Sequence, residues 1–307
     1  MTKVFIDGSA GTTGLRIVDR LSQREDLELL ILPDELRKEA SARADALATA
    51  DIAFLCLPDD AAKESAQLAA GMQVKIIDTS TAHRVDPDWV YGMPELAGQT
   101  EKITASSRIA NPGCHASGFV ALVAPLVEQG ILPADAALSC FSLTGYSGGG
   151  KKMIAEYESS DRSPLLGGPR QYALTQSHKH LKEMVKISGL TNAPVFCPIV
   201  GDFYSGMEVT VPLLAKDIKG NIEDIKALYK QYYQNGLIHY CDQPDPDGML
   251  SAAAFSMRDD MEVSVYGNED RILLVSRFDN LGKGASGAAI QNMNLLLGLD
   301  QATGLNV

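Results

Sequence analysis

Lys3-Val4-Phe5-Ile6-Asp7-Gly8-Ser9-Ala10-Gly11-Thr12-Thr13-Gly14 is the stretch that decides the fold: a short apolar strand runs into a GxxGxxG turn that opens a helix. Glycines at that spacing permit a tight turn, and the helix start offers unpaired N–H groups and a positive dipole end to a pyrophosphate. Residues Gly8, Ser9, Ala10, Gly11, Thr12, Thr13 and Gly14 are therefore the first candidates for binding a dinucleotide. Beyond them the pattern alternates: strand 27–32, strand 51–57, helix 59–70 and strand 74–78. Strands separated by helical segments imply right-handed crossovers and a doubly wound parallel sheet covered on both faces. Leu57-Pro58, after the third expected strand, falls where such a fold passes under an adenosine.

The second strand ends at Leu32-Pro33, followed by Asp34-Glu35 and then Arg37-Lys38. A carboxylate there favours a free ribose hydroxyl and a basic group favours a ribose phosphate. Both are present, so these residues leave NAD and NADP open, as does the alternative of a solvated turn.

From about residue 135 the reading changes to α+β, with strands expected at 136–143, 194–196, 207–214, 238–240, 262–266 and 271–278, and helices at 177–188 and 221–233. A closing helix over 286–297 suits packing back on the first domain. The expected fold class is thus α/β, a Rossmann-type doubly wound parallel sheet plus an α+β domain. The expected division is 1–113, completed by 286–307, against 114–285.

Composition narrows the function. The chain has 307 residues, is 45% hydrophobic and carries a net charge of −12. Nucleic acid and anionic membranes reward Lys and Arg, so neither is an expected partner. The apolar start Val4–Ile6 is too short for a signal segment, and no run is long enough to span a bilayer, so the expectation is cytoplasmic. Five cysteines without CxxC spacing are expected as free thiols.

Among them Cys114 stands out. Asn111-Pro112-Gly113-Cys114-His115 places it after a Pro-Gly turn and at the start of a helix over 116–126, where the dipole favours a thiolate. Cys56 and Cys140 lie in apolar strand runs, and Cys197 and Cys241 beside loops, so packing is the better reading of each. Thiolate chemistry on an acyl group needs a proton donor and acceptor. Gln176-Ser177-His178-Lys179-His180 supplies two histidines that should point different ways on a helix start; His180 is the first choice and His178 the reserve. Arg84, in Ser80-Thr81-Ala82-His83-Arg84, and Arg108, ahead of the cysteine turn, could each fork onto a phosphate or carboxylate. Gly145 to Lys152 is a second glycine-rich loop that lacks P-loop spacing and could serve a nicotinamide or be a plain connection. No cluster has metal-ligand spacing, so no metal is expected.

Taken together, Gly8 to Gly14, Asp78 to Arg84, Tyr91-Gly92-Met93-Pro94-Glu95-Leu96, Asn111 to His115, Gly145 to Lys151 and Asn280 to Gly287 resemble the shorter form of the N-acetyl-gamma-glutamyl-phosphate reductases of arginine biosynthesis, within the aspartate-semialdehyde dehydrogenase-like superfamily. The resemblance implies NADP, Cys114 as nucleophile, homodimers or homotetramers, and a small acyl phosphate as substrate. It implies Ser80, Ser147, Gly148 and Asn280 at the cofactor, Lys283 on the loop returning towards the nicotinamide, and Arg84, Arg108 and Asn111 at the substrate. The longer family form has His-Arg-His before Thr-Pro-Glu-Ile, where this chain has His178-Lys179-His180 before Leu181-Lys182-Glu183-Met184. The alternatives weighed against it are an aspartate-semialdehyde dehydrogenase, a reductase of a carrier-bound acyl phosphate, and a non-catalytic NADP-binding sensor.

Overall fold

The computed structural model describes residues 1–245 and 247–307. By internal contacts the chain divides into one unit of Met1–Pro112 with Ala285–Leu305, and a second of Gly113–Gly284 with Asn306–Val307. Asn306 joins the second unit because its N–H donates to Asp259 Oδ2 at 2.9 Å while its carbonyl accepts from Asp259 N at 2.7 Å.

The first unit holds a six-stranded sheet ordered β2-β1-β3-β4-β6-β5, with β1 Thr2–Asp7, β2 Leu27–Leu30, β3 Ile52–Leu55, β4 Lys75–Asp78, β5 Val90–Tyr91 and β6 Arg108–Ala110. Every pairing in it is parallel. Such strands are buried on both faces and read as continuous apolar runs, as Ile52-Ala53-Phe54-Leu55 does. Helices α1 Thr12–Leu21, α2 Ala40–Thr49, α3 Asp59–Leu68 and α4 Gln99–Ala105 connect them. The closing helix, Gly287–Leu296, inserts Ala289, Ile290 and Met293 into the core formed by Val4, Ile6, Ile17 and Phe54.

The second unit is a seven-stranded mixed sheet ordered β11-β12-β13-β10-β7-β9-β8. Its strands are β7 Ser139–Gly145, β8 Arg170–Gln171, β9 Val195–Gly201, β10 Met207–Leu214, β11 Ile238–Tyr240, β12 Met261–Gly267 and β13 Arg271–Phe278. Helix α5, Cys114–Glu128, is apolar on all sides and buried, as a central helix must be. It can lie close on the sheet because Gly118 has no side chain: a Cβ there would fall 2.6 Å from Val209 Cγ2 and 2.7 Å from Ser276 Oγ. Helices α6 Gly150–Glu158, α7 His180–Ser188 and α8 Ile222–Tyr232 complete the unit. The opposite sheet face exposes Phe141, Val195, Leu214 and Leu273, which the strand register places on one side.

Candidate active site

Helix α1 begins at the glycine loop with Gly11 as its N-cap, with no capping side chain and no acidic residue in its first turn. The three glycines do different work. Gly8 has φ +86°, and a Cβ on it would fall 2.3 Å from Cys56 O. A Cβ on Gly14 would fall 2.4 Å from Gly8 O, so both positions are closed by the protein itself. Gly11 has nothing nearer than 3.4 Å. Its face is open, and with Gly8, Ser9 and Ala10 it lines a pocket of about 340 Å³ together with Leu32, Leu57, Pro58, Arg37 and Lys38. Thr12, Thr13 and Gly14 form the helix turn whose N–H groups lack intrahelical acceptors. Loop, open glycine face and helix start fit a dinucleotide pyrophosphate. Of the mixed charges after β2, Arg37 and Lys38 line the pocket, whereas Asp34 is an exposed partner of Arg37 at 3.2 Å.

Four residues expected at ligands have partners within the fold. Ser80 is buried, donating to Asp78 Oδ2 at 2.8 Å and accepting from Ala82 N. It builds the turn after β4 instead of facing the pocket. Arg84 is also buried, and its guanidinium binds the carbonyls of Asn111 (2.9 Å) and Thr79 (3.0 Å). Asn111, 1% exposed, donates to Ala285 O at 3.0 Å and accepts from Asn292 Nδ2 at 3.3 Å. It is a structural node of the first unit. Arg108 points its guanidinium at the carbonyls of Val74, Ser107 and Ala69. Val74 and Ser107 directly precede strands and Ala69 caps the end of α3, so Arg108 lies at the N-terminal edge of the sheet, opposite the carboxyl edge where such folds bind ligands.

In the second unit Cys114 is the first residue of α5 and is half-buried. Its neighbourhood is crowded: a Cβ on Gly284 would fall 2.9 Å from Cys114 Cβ. The N-cap amide, Gly113 N–H, donates to the buried Glu183 carboxylate at 2.8 Å, which ties the cysteine turn to α7. The other thiols contrast with it. Burial pushes the Cys56 thiol up to about 12, and burial, then the nearby Cys197, pushes Cys140 up strongly. Cys197 lies within β9, not beside a loop.

The histidines were expected to diverge, and they converge instead. Helix α7 starts only at His180, so His178 sits in the preceding turn and its ring lies 4.7 Å from that of His180. His115, the residue after the cysteine, joins them at 5.7 Å and 5.6 Å, and Phe196 closes the cluster against His115 and His178. His115 Nδ1 meets Ser142 Oγ and Nε2 meets the Tyr172 hydroxyl, each at 2.6 Å. Burial, then the charge of His178, lowers His115 to about 3, so it is neutral. His178 Nδ1 accepts the His180 N–H at 3.2 Å, which puts the proton of neutral His178 on Nε2. Burial, and secondarily the charge of Cys114, raise the Tyr172 phenol. Tyr172 and Ser142 had no signal in the sequence, since one lies in an aperiodic loop and the other inside a strand.

Ser147, Gly148 and Asn280 do come together. Asn280, 2% exposed, donates to Ser147 Oγ at 3.0 Å and accepts from Gly206 N at 2.9 Å, and a Cβ on Gly148 would fall 3.4 Å from its Nδ2. Lys283 lies buried in the next turn, Gly282–Ser286. Among the described residues there is no metal-binding cluster of His, Cys, Asp and Glu, and no helix long and apolar enough to cross a membrane.

A parallel dinucleotide-binding unit followed by an α+β unit with a helix-start cysteine and clustered histidines defines a semialdehyde dehydrogenase. Residues 3–105 match the family described as "Semialdehyde dehydrogenase, NAD binding domain", and residues 114–280 match "Semialdehyde dehydrogenase, dimerisation domain". The chain belongs, within that class, to the N-acetyl-gamma-glutamyl-phosphate reductase family. It is 46% identical to N-acetyl-gamma-glutamyl-phosphate reductase 2 of Nostoc sp., over 99% of each chain. It is 45% identical to the Brucella ovis N-acetyl-gamma-glutamyl-phosphate reductase, over 96% of this chain and 99% of that one. Among solved structures, aspartate semialdehyde dehydrogenase II from Vibrio cholerae superposes with a TM-score of 0.73 at 17% identity, over 97% and 98% of the two chains. The Candida albicans aspartate semialdehyde dehydrogenase with NADP gives 0.68 at 17%, over 97% and 99%.

Proposed function

We propose that this chain reduces N-acetyl-gamma-glutamyl phosphate to N-acetylglutamate 5-semialdehyde and phosphate, a step of arginine biosynthesis, through a thioester on Cys114. The observation that carries the chemistry is the placing of Cys114 at the start of a buried helix in the unit that holds the three histidines. The dipole at that end favours the thiolate, which attacks the acyl carbon and expels phosphate. N–H groups of the first turn of α5 are suited to the oxyanion, since Gly113 N–H is already committed to Glu183. His180 protonates the oxygen of the thiohemiacetal formed on reduction and takes that proton back as the aldehyde leaves and the thiolate is restored. The assignment goes to His180 because His115 has both nitrogens engaged and is neutral, while His178 has Nδ1 occupied by a backbone donor.

The cofactor we propose is NADPH, which supplies the hydride for the thioester carbon. Gly8 to Gly14, Leu57 and Pro58 would hold it, and Arg37 and Lys38 lie on the pocket side that suits a ribose phosphate. Ser147, Gly148 and Asn280 are further residues proposed to contact it. Two copies would associate through the sheet face bearing Phe141, Val195, Leu214 and Leu273, an apolar face of the kind obligate interfaces cover. Free thiols throughout suit a reducing, cytoplasmic setting.

The experiment is the reverse reaction, following NADPH formation from NADP and phosphate with N-acetylglutamate 5-semialdehyde or aspartate semialdehyde. Preference for the acetylated aldehyde, abolished in Cys114→Ala with cofactor binding intact, is the expected result. Preference for aspartate semialdehyde would move the substrate assignment. Normal turnover in Cys114→Ala would end the thioester mechanism.

A further inference from the structure

Between β8 and α7 the chain takes an unusual path. Ala173 (φ 51°) and Gln176 (φ 55°) both adopt the left-handed conformation without being glycine, a conformation that persists only where the surroundings impose it. Tyr172 N–H donates to Pro198 O at 3.1 Å, the last main-chain bond this segment makes to β9 before it turns away. Further along β9 the place of a neighbouring strand is taken by a side chain. Gln176 Nε2 donates to Phe196 O at 2.7 Å, and Phe196 N–H donates to Gln176 Oε1 at 2.8 Å. One amide thus satisfies both polar main-chain groups of Phe196, as a paired strand residue would.

Phe196 is also the ring that packs against His115 at 5.3 Å and against His178 at 5.2 Å. Both ends of the left-handed segment meet His115: Tyr172 by a 2.6 Å hydrogen bond and His178 by its ring. Gln176 itself is exposed.

We infer that Gln176 is a positioning residue for the reaction: its amide clips the 172–180 segment to β9 and so sets Tyr172, His178 and the start of α7 at His180 against His115. This rests on the thioester reading above. Two variants separate the clip from plain folding. Gln176→Met keeps the length and loses both hydrogen bonds. Gln176→Asn keeps an amide and favours the left-handed conformation, but is one methylene too short to reach Phe196.

In the reverse reaction both variants are expected to lose kcat about tenfold with KM for the aldehyde nearly unchanged, as displacement of a proton-transfer group should do. The pH profile of kcat should shift with it. Ring-proton NMR titration of His178 and His180 in the same proteins should show altered curves. Thermal melts close to wild type for Gln176→Asn would accompany this result. Wild-type kcat and pH profile in both variants, whatever their melting temperatures, would overturn the proposal. If the wild-type chain reduces no acyl phosphate, the thioester reading fails by itself; unchanged histidine titrations in both variants would then still overturn the clip.

Discussion

The glycine loop offers a graded test, because the structure separates three reasons for a glycine. At Gly71 φ is +78° with nothing within 4 Å of the Cβ position, so alanine meets only the left-handed penalty, ~1–2 kcal/mol. At Gly8 φ is +86° and the Cβ would lie 2.3 Å from a backbone oxygen. The same penalty is joined there by the cost of moving main chain in a packed interior, ~1–3 kcal/mol, for a total of ~2–5 kcal/mol. At Gly11 φ is −75° and the nearest atom is 3.4 Å away, so alanine fits the fold, with a gain of up to ~1 kcal/mol from a stiffer unfolded chain. The Gly11 methyl group would project towards the pocket, where the pyrophosphate must come close to the backbone.

The expected order of melting temperatures is therefore Gly11→Ala at or above wild type, Gly71→Ala a few degrees lower, and Gly8→Ala lower by roughly 5–15 °C. NADPH binding, followed by the fluorescence of the bound cofactor, should invert the order of Gly11→Ala and Gly71→Ala. Gly71→Ala should bind as wild type, and Gly11→Ala should lose ~1.4 kcal/mol, a tenfold rise in Kd. Wild-type affinity in Gly11→Ala would refute the reading of this loop as the pyrophosphate cradle. Equal destabilisation by Gly8→Ala and Gly71→Ala would refute the argument from Cβ distances.

Replacing Arg37 and Lys38 together by Met should raise Kd for NADPH at least tenfold and leave NADH binding within about twofold, measured by fluorescence titration; equal losses for both cofactors would remove these residues from the phosphate site. His115, lowered to about 3 in the fold, binds its proton more readily when unfolded, so the unfolded chain takes up more protons between about pH 6.5 and pH 3. Its contribution to stability is thus complete above pH 6.5 and is lost as pH falls through that window, by up to ~1.4 kcal/mol per unit. A His115→Asn variant should melt lower at pH 7 but show a shallower acid slope in urea titrations, and an unchanged slope would count against a neutral His115. Leu273→Asp should convert the wild-type oligomer to monomer in size-exclusion chromatography with light scattering, whereas an unaltered assembly would place the interface elsewhere.

Much of the fold was legible because periodicity and burial agree. The strands at 207–214, 238–240 and 271–278 fall within the limits read from alternation, since one face is packed and the other is not. Helix α2 was missed because Ala40–Thr49 is built of small residues and buries only Arg43 and Leu47 on its inner side. Helix α6 was missed because it opens on the last of three consecutive glycines, the first two of which end a 3₁₀ turn. The short strands β5 and β8, of two residues each, carry no period to detect.

The site divides by the range of the forces involved. Cys114 could be singled out because its environment is local: a Pro-Gly turn and a helix start are written in consecutive residues. The arginines could not be assigned in this way, because position in the sequence says nothing about which edge of a parallel sheet a guanidinium caps. Arg108, at the start of β6, and Arg84, in the loop after β4, end on main-chain carbonyls that only the assembled sheet brings near. The histidine pair shows the subtler failure. Two residues apart on a helix, rings diverge by about 200°, and that geometry was applied to His178 and His180. It fails because the helix begins at His180, and His178 follows a left-handed turn whose Gln176 side chain is held by the main chain of Phe196, twenty positions away. A three-residue error in a helix boundary read from sequence is ordinary, yet here it decides whether one histidine or two face the cluster around His115. Helix ends are where functional side chains gather, so boundary precision, more than element type, limits how far a site can be read from sequence.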